Sequence, residues 1–71
     1  MTLTQLHYVI TIAETKSFNK AAEKLYVSQP SLTNAIKELE KELGISIFYR
    51  NGRGAVLTND GTEFLLYAKQ I

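Results

Sequence analysis

The apolar positions of this chain recur at three- and four-residue steps through most of its length, the spacing of helices that bury one face. Leu3, Leu6, Val9, Ile10 and Ala13 form a first stripe. Before it, Thr2-Leu3-Thr4-Gln5 has the spacing of a capping box, in which the hydroxyl and the amide satisfy free backbone donors of a helix start. The polar Glu14-Thr15-Lys16 ends the stripe. Ser17 suits the cap of a second, short helix from Phe18 to Leu25, whose small Ala21 and Ala22 let another helix approach closely. Tyr26-Val27 reads as a brief connector, and Ser28 caps a third helix with Pro30 in its first turn, where a missing amide hydrogen costs little. Gly44 follows Leu43 at the place where a helix end favours a left-handed residue.

The third helix is two-faced: Leu32, Ile36, Leu39 and Leu43 share one stripe, and Pro30, Thr33, Asn34, Lys37 and Lys41 lie opposite. After Gly44 the pattern changes. Ile45 to Arg50 and Ala55 to Thr58 read as two strands joined through Asn51-Gly52-Arg53-Gly54, and Asn-Gly is the strongest short hairpin signal. Thr58 or Asn59 then caps a last helix running through Phe64, Leu65, Tyr67, Ala68 and Ile71, where the chain stops without a terminating signal. The expected fold is mainly α: a winged helix-turn-helix with a three-helix core, a two-stranded wing over 45–58 and a C-terminal linker helix. It divides into residues 1–58 and residues 59–71, the latter being the start of a longer linker or dimerisation helix that is cut short.

At 71 residues and 8.0 kDa the chain is one small domain, and a chain this short buries only about 60% of its unfolded surface, so large pockets are not expected. With no cysteine it has no disulfide framework and no thiolate metal site, which fits a reducing compartment and makes the cytoplasm the expected location. The start lacks the basic and apolar regions of a secretion signal, and no apolar run approaches the roughly 20 residues that span a bilayer, so no membrane role is expected. The net charge is only +1, and bulk basicity therefore identifies no partner. The distribution says more. No carboxylate occurs between Glu23 and Glu38, where Lys24 and Lys37 are present, or from Leu43 to Asn59, where Arg50 and Arg53 are present. Short acid-free runs also arise by chance in a chain of this size.

A short helix, a tight connector and a longer helix with a polar face form the helix-turn-helix arrangement, which presents the N-terminal residues of its second helix to base edges. Ala22 at the crossing, Val27 in the turn and Leu32 beneath the second helix would lock the pair; an ordinary helical hairpin shares that much. The face chemistry adds to it. Gln29 and Asn34 carry amides able to bond adenine bidentately, Thr33 can donate to bases or phosphates, and Pro30 offers an apolar edge to a thymine methyl. Ser28, Ser31 and the free amides at the helix start can hold phosphate, with Lys37 reaching a flanking one. The plainer alternatives are that Ser28 is only a cap, Gln29 only solvated, and Lys37 only an ion-pair partner for Glu40. In the wing, Arg53 at the tip could reach phosphate or a narrow minor groove and Arg50 the backbone nearby, although an edge hairpin needs charges for solubility in any case. Phe64, Leu65, Tyr67 and Ala68 could form a dimer interface or pack back on the first helix.

Catalysis finds little support. His7 is the only histidine, with no second imidazole or cysteine to complete a ligand set, so no catalytic residue, metal site or cofactor is expected. Glu38, Glu40, Lys41 and Glu42 read as a mixed solvated surface, and Asp60 and Glu63 suit the electropositive first turn of the last helix. The alternative to DNA binding is a winged-helix protein–protein interaction module, which would have no affinity for DNA.

Over its whole length the chain resembles the N-terminal DNA-binding domain of LysR-type transcriptional regulators. The resemblance rests on Leu3 and Leu6, Ser17-Phe18 with Ala21-Ala22, the run Leu25 to Thr33, the run Ile36 through Leu39-Glu40 to Leu43-Gly44, then Phe48 with Arg50 and Arg53, and Leu57-Thr58 with Gly61. It implies that Gln29, Pro30, Thr33 and residue 34 read bases from a recognition helix over 28–43, that Ser17, Lys37 and Arg50 lie near phosphates, and that Arg53 works from the wing. It also implies a homodimer through the last helix on pseudo-palindromic double-stranded DNA, with recognition helices about 34 to 36 Å apart or a multiple of that. A larger effector-binding domain is expected beyond residue 71, and any small-molecule effector would act through it. Members of the family often carry arginine at position 34, suited to guanine, where Asn34 here suits adenine; Thr33 replaces the usual serine.

Overall fold

The computed structural model describes residues 1–49 and 54–70. Its helices are α1 (Leu3–Thr15), α2 (Phe18–Leu25), α3 (Gln29–Leu43) and α4 (Asn59–Lys69). Each begins where a hydroxyl takes up a free backbone amide. Thr2 Oγ1 accepts from Gln5 N–H at 3.0 Å, Ser17 Oγ from Lys20 N–H at 3.1 Å, Ser28 Oγ from Ser31 N–H at 3.2 Å, and Thr58 Oγ1 from Gly61 N–H at 2.8 Å. The capping box at Thr2 is complete, because Gln5 Oε1 accepts from Thr2 N–H at 2.9 Å. The first three helices end in the left-handed region, at Lys16 (φ 57°), Tyr26 (φ 58°) and Gly44 (φ 72°). Only the last of these is a glycine.

The helices α1, α2 and α3 pack against one another, and α4 packs on α1. Val9, Ile12, Leu32, Ile36, Leu39, Ile47 and Phe48 are fully enclosed at their meeting point. Because α1 has neighbours on several sides, its buried face differs from the stripe read by spacing. Ile12 and Thr11 are buried, whereas Leu3, in the first turn, is 74% exposed. The Thr11 hydroxyl is satisfied within the helix by donating to the His7 carbonyl at 3.0 Å.

The expected two-stranded wing is reduced, among the described residues, to one antiparallel bridge between Phe48 and Leu57. It is flanked by Tyr49 N–H to Val56 O at 2.8 Å and Thr58 N–H to Ile47 O at 3.0 Å. Ile47 and Phe48 are both buried, so the segment does not alternate as a strand would, and their amides point to a side chain: Glu40 Oε2 accepts from Ile47 N–H at 2.7 Å and from Phe48 N–H at 3.3 Å. The anticipated turn with Arg50 and Arg53 lies outside the described residues.

Two glycines make this segment fit. At Gly54 (φ +80°) a Cβ would stand 2.9 Å from the Lys16 carbonyl oxygen, the same oxygen that accepts Ala55 N–H at 3.1 Å. At Gly61 a Cβ would stand 2.0 Å from the Ile47 carbonyl oxygen, so only glycine lets the first turn of α4 press against residues 45–48. Phe48 meets Phe18 edge to face, with ring centroids 5.5 Å apart and planes at 73°, which ties the segment to the start of α2.

Candidate nucleic-acid interface

The turn between α2 and α3 is held by backbone bonds from Tyr26 N–H to Glu23 O at 3.2 Å and from Val27 N–H to Ala22 O at 3.1 Å. Ala21 and Ala22 are buried on one side of it and Leu32 on the other, as the crossing of two helices requires. The core stripe of α3 is Leu32, Ile36 and Leu39, with Leu43 half-buried at its end. Turning these inward leaves Pro30, Asn34 and Lys37 on the solvent side, with Ser28 and Ser31 exposed at the helix start.

Polar groups at this end of α3 bond to one another. Ser28 Oγ donates to Ser31 Oγ at 2.8 Å, and Gln29 Nε2 donates to Thr33 Oγ1 at 2.7 Å. Gln29 and Thr33 are half-buried, and Gln29 keeps its carbonyl oxygen and one amide hydrogen for a ligand. The first turn of α3 carries no acidic residue, so nothing there opposes an anion attracted by the helix dipole. Lys37 forms no ion pair among the described residues, because the expected partner Glu40 directs its carboxylate to the Ile47 and Phe48 amides.

The predicted contact residues therefore divide. Ser28, Gln29, Pro30, Ser31, Thr33, Asn34 and Lys37 share the N-terminal half of α3. Ser17 stands apart as the half-buried cap of α2, its carbonyl accepting from Thr15 Oγ1 at 3.0 Å. Arg50 and Arg53 lie outside the described residues. On α4, Phe64 and Ala68 belong to the core of this chain and Leu65 is half-buried, so the exposed apolar side chains are Tyr67 and, unanticipated, Leu66.

Glu40 corrects the sequence reading, which placed it on a solvated surface. Its signal was available: Glu40 sits four residues after Ile36 and three before Leu43, within the apolar stripe, where a carboxylate needs partners. Among the described residues no group of three His, Cys, Asp or Glu could hold a metal, and His7 is exposed on α1. No helix of the described residues is long and apolar enough to cross a membrane.

With that geometry in place, the family comparison is decisive: residues 3–62 match the model for bacterial regulatory helix-turn-helix proteins of the lysR family. The chain belongs to that family. CitR, a helix-turn-helix-type transcriptional regulator of Bacillus subtilis, is 44% identical over 66 residues, which is 93% of this chain and 23% of CitR. Among solved structures, the DNA-binding domain of BenM in complex with catB site 1 DNA superposes with a TM-score of 0.94 at 41% identity, covering 99% of this chain and 75% of that one. Full-length OxyR from Pseudomonas aeruginosa superposes with a TM-score of 0.93 at 43% identity, covering 99% of this chain and 23% of that one. This lysR-family chain covers less than a third of the length of such curated relatives, from 18% of YwbI of Bacillus subtilis to 31% of TfdT of Cupriavidus pinatubonensis.

Proposed function

We propose that this chain is the sequence-specific DNA-binding part of a bacterial transcription regulator, with α3 entering the major groove. The observation that carries the reading is the exposed, acid-free N-terminal half of α3, held by its opposite stripe against α1 and α2. The solved lysR-family relative bound to DNA supports it. Gln29, Pro30, Thr33 and Asn34 contact base edges; Ser28, Ser31 and Lys37 hold phosphates, and Ser17 meets another from the start of α2. Residues 45–58 form a wing that carries Arg50 and Arg53 to the backbone or the minor groove.

Residues 1–58 are the DNA-binding unit and 59–71 begin a linker helix that pairs with a second copy. The dimer engages a pseudo-palindromic site in the cytoplasm, without a cofactor in this part, and a small-molecule effector acts through a further domain. The alternative, a winged helix that binds only proteins, is separated by one experiment. Selection from a random duplex pool should enrich a recurring motif, and binding to it should weaken steeply with salt, as phosphate contacts require. Salt-independent binding, or no binding to any duplex, would overturn the reading.

A further inference from the structure

We propose that Tyr26 is an additional DNA-contacting residue, whose phenol hydroxyl donates to a phosphodiester oxygen next to the bases that α3 contacts. This rests on the DNA-binding reading above. Two observations single Tyr26 out. It is 95% exposed, more than any other large apolar side chain among the described residues, and it is one of two non-glycine residues there with positive φ. Its φ of 58° and ψ of 40° place it where a helix end favours glycine. The fold thus holds a tyrosine in an unfavourable conformation while burying almost none of it, a combination that points to a role outside the fold.

The location indicates the ligand. Two peptide steps separate Tyr26 from Ser28, so their Cα atoms lie within about 7 Å and the start of α3 is within reach of the phenol. No carboxylate occurs from Lys24 to Lys37, and Lys24 is exposed two residues earlier. The backbone is fixed by Tyr26 N–H to Glu23 O and Val27 N–H to Ala22 O, so the point from which the side chain leaves the turn is set and no backbone ordering is needed on binding. A neutral hydroxyl preceding the helix suits the sugar-phosphate backbone, because charge-assisted O–H to phosphate bonds are strong and tyrosine is a common phosphate donor.

The test uses fluorescence anisotropy on duplexes enriched from a random pool, together with thermal melting. Tyr26→Phe should weaken binding about tenfold on every duplex, the loss expected for a hydrogen bond to a charged group. The slope of log K against log salt should stay unchanged, because a neutral donor releases no counterion. Tyr26→Gly should weaken binding at least as much while melting at the same temperature as the parent or higher, because glycine accepts the left-handed conformation. Parental affinity in Tyr26→Phe, a loss confined to particular sequences, or a lower melting temperature in Tyr26→Gly would overturn the assignment and leave the DNA-binding reading intact. A parent that binds no duplex would overturn both.

Discussion

The two ends of α3 are built in opposite ways. At its C-terminal end Glu40 fastens to the Ile47 and Phe48 amides, the Glu40 carbonyl accepts from Gly44 N–H at 2.8 Å, and Leu39 is fully buried. At its N-terminal end the side-chain bonds run only between neighbours on the helix, Ser28 to Ser31 and Gln29 to Thr33. Both ends are seated in the core, through Leu32 and Ile36 at one and Leu39 at the other, but only at the C-terminal end do polar side chains reach beyond the helix; at the N-terminal end the polar face is ordered and open to solvent. The difference teaches that one helix can be held rigidly by its apolar stripe and its anchored C-terminal end so that the polar face of its other end meets a ligand without losing its shape.

The sharpest way to break that comparison is in the anchored half. Leu39→Ala should destabilise the domain by about 2–5 kcal/mol in urea unfolding, because it leaves a cavity where no side chain can collapse freely. A change under about 1 kcal/mol would mean that this half does not hold the helix. Glu40→Ala should lower stability by about 1–3 kcal/mol by leaving two amides without their acceptor. Since both bonds end on one oxygen, which an amide oxygen can replace, Glu40→Gln should lose less stability than Glu40→Ala, and equal losses in the two variants would show that these two hydrogen bonds are not the cause.

In the exposed half the effects should move from stability to binding. Asn34→Ala and Lys37→Ala should each change stability by no more than about 0.5 kcal/mol, as surface substitutions do. Asn34→Ala should relax the preference at one base position by about 1–3 kcal/mol. Lys37→Ala should instead weaken binding on all duplexes and reduce the salt slope by about 1. Anisotropy titrations on matched and mismatched duplexes at several salt concentrations separate the two roles, and identical profiles for both variants would remove the distinction between base and phosphate contacts.

Much of this division was legible beforehand. The caps Thr2, Ser17 and Ser28 stand where hydroxyl spacing placed them, Thr58 is the one of two candidates that caps α4, and the core and solvent faces of α3 follow its period. The left-handed ends at Lys16 and Tyr26 were not legible, because neither is a glycine and the sequence alone does not mark them. Of the strands expected over 45–50 and 55–58, the described residues show one antiparallel bridge, and the burial of Ile47 and Phe48 beneath the Glu40 carboxylate was not legible because an apolar run does not show which element takes its amides. Phe64 and Ala68 could be read as an interface or as packed back on the first helix because a terminal helix shows its apolar residues without showing what covers them; both are buried in the core of this chain, leaving Leu66 and Tyr67 outside.

The sequence by itself determined where the helices begin and that α3 has one apolar and one polar side. Both depend on residues three or four apart, whose geometry is set by the backbone alone. The tertiary structure decided which α1 residues are enclosed, where the Glu40 carboxylate goes, why Gly61 faces the Ile47 carbonyl and how far Tyr26 stands in solvent. These depend on partners distant in the chain, and only the packed molecule brings them within contact.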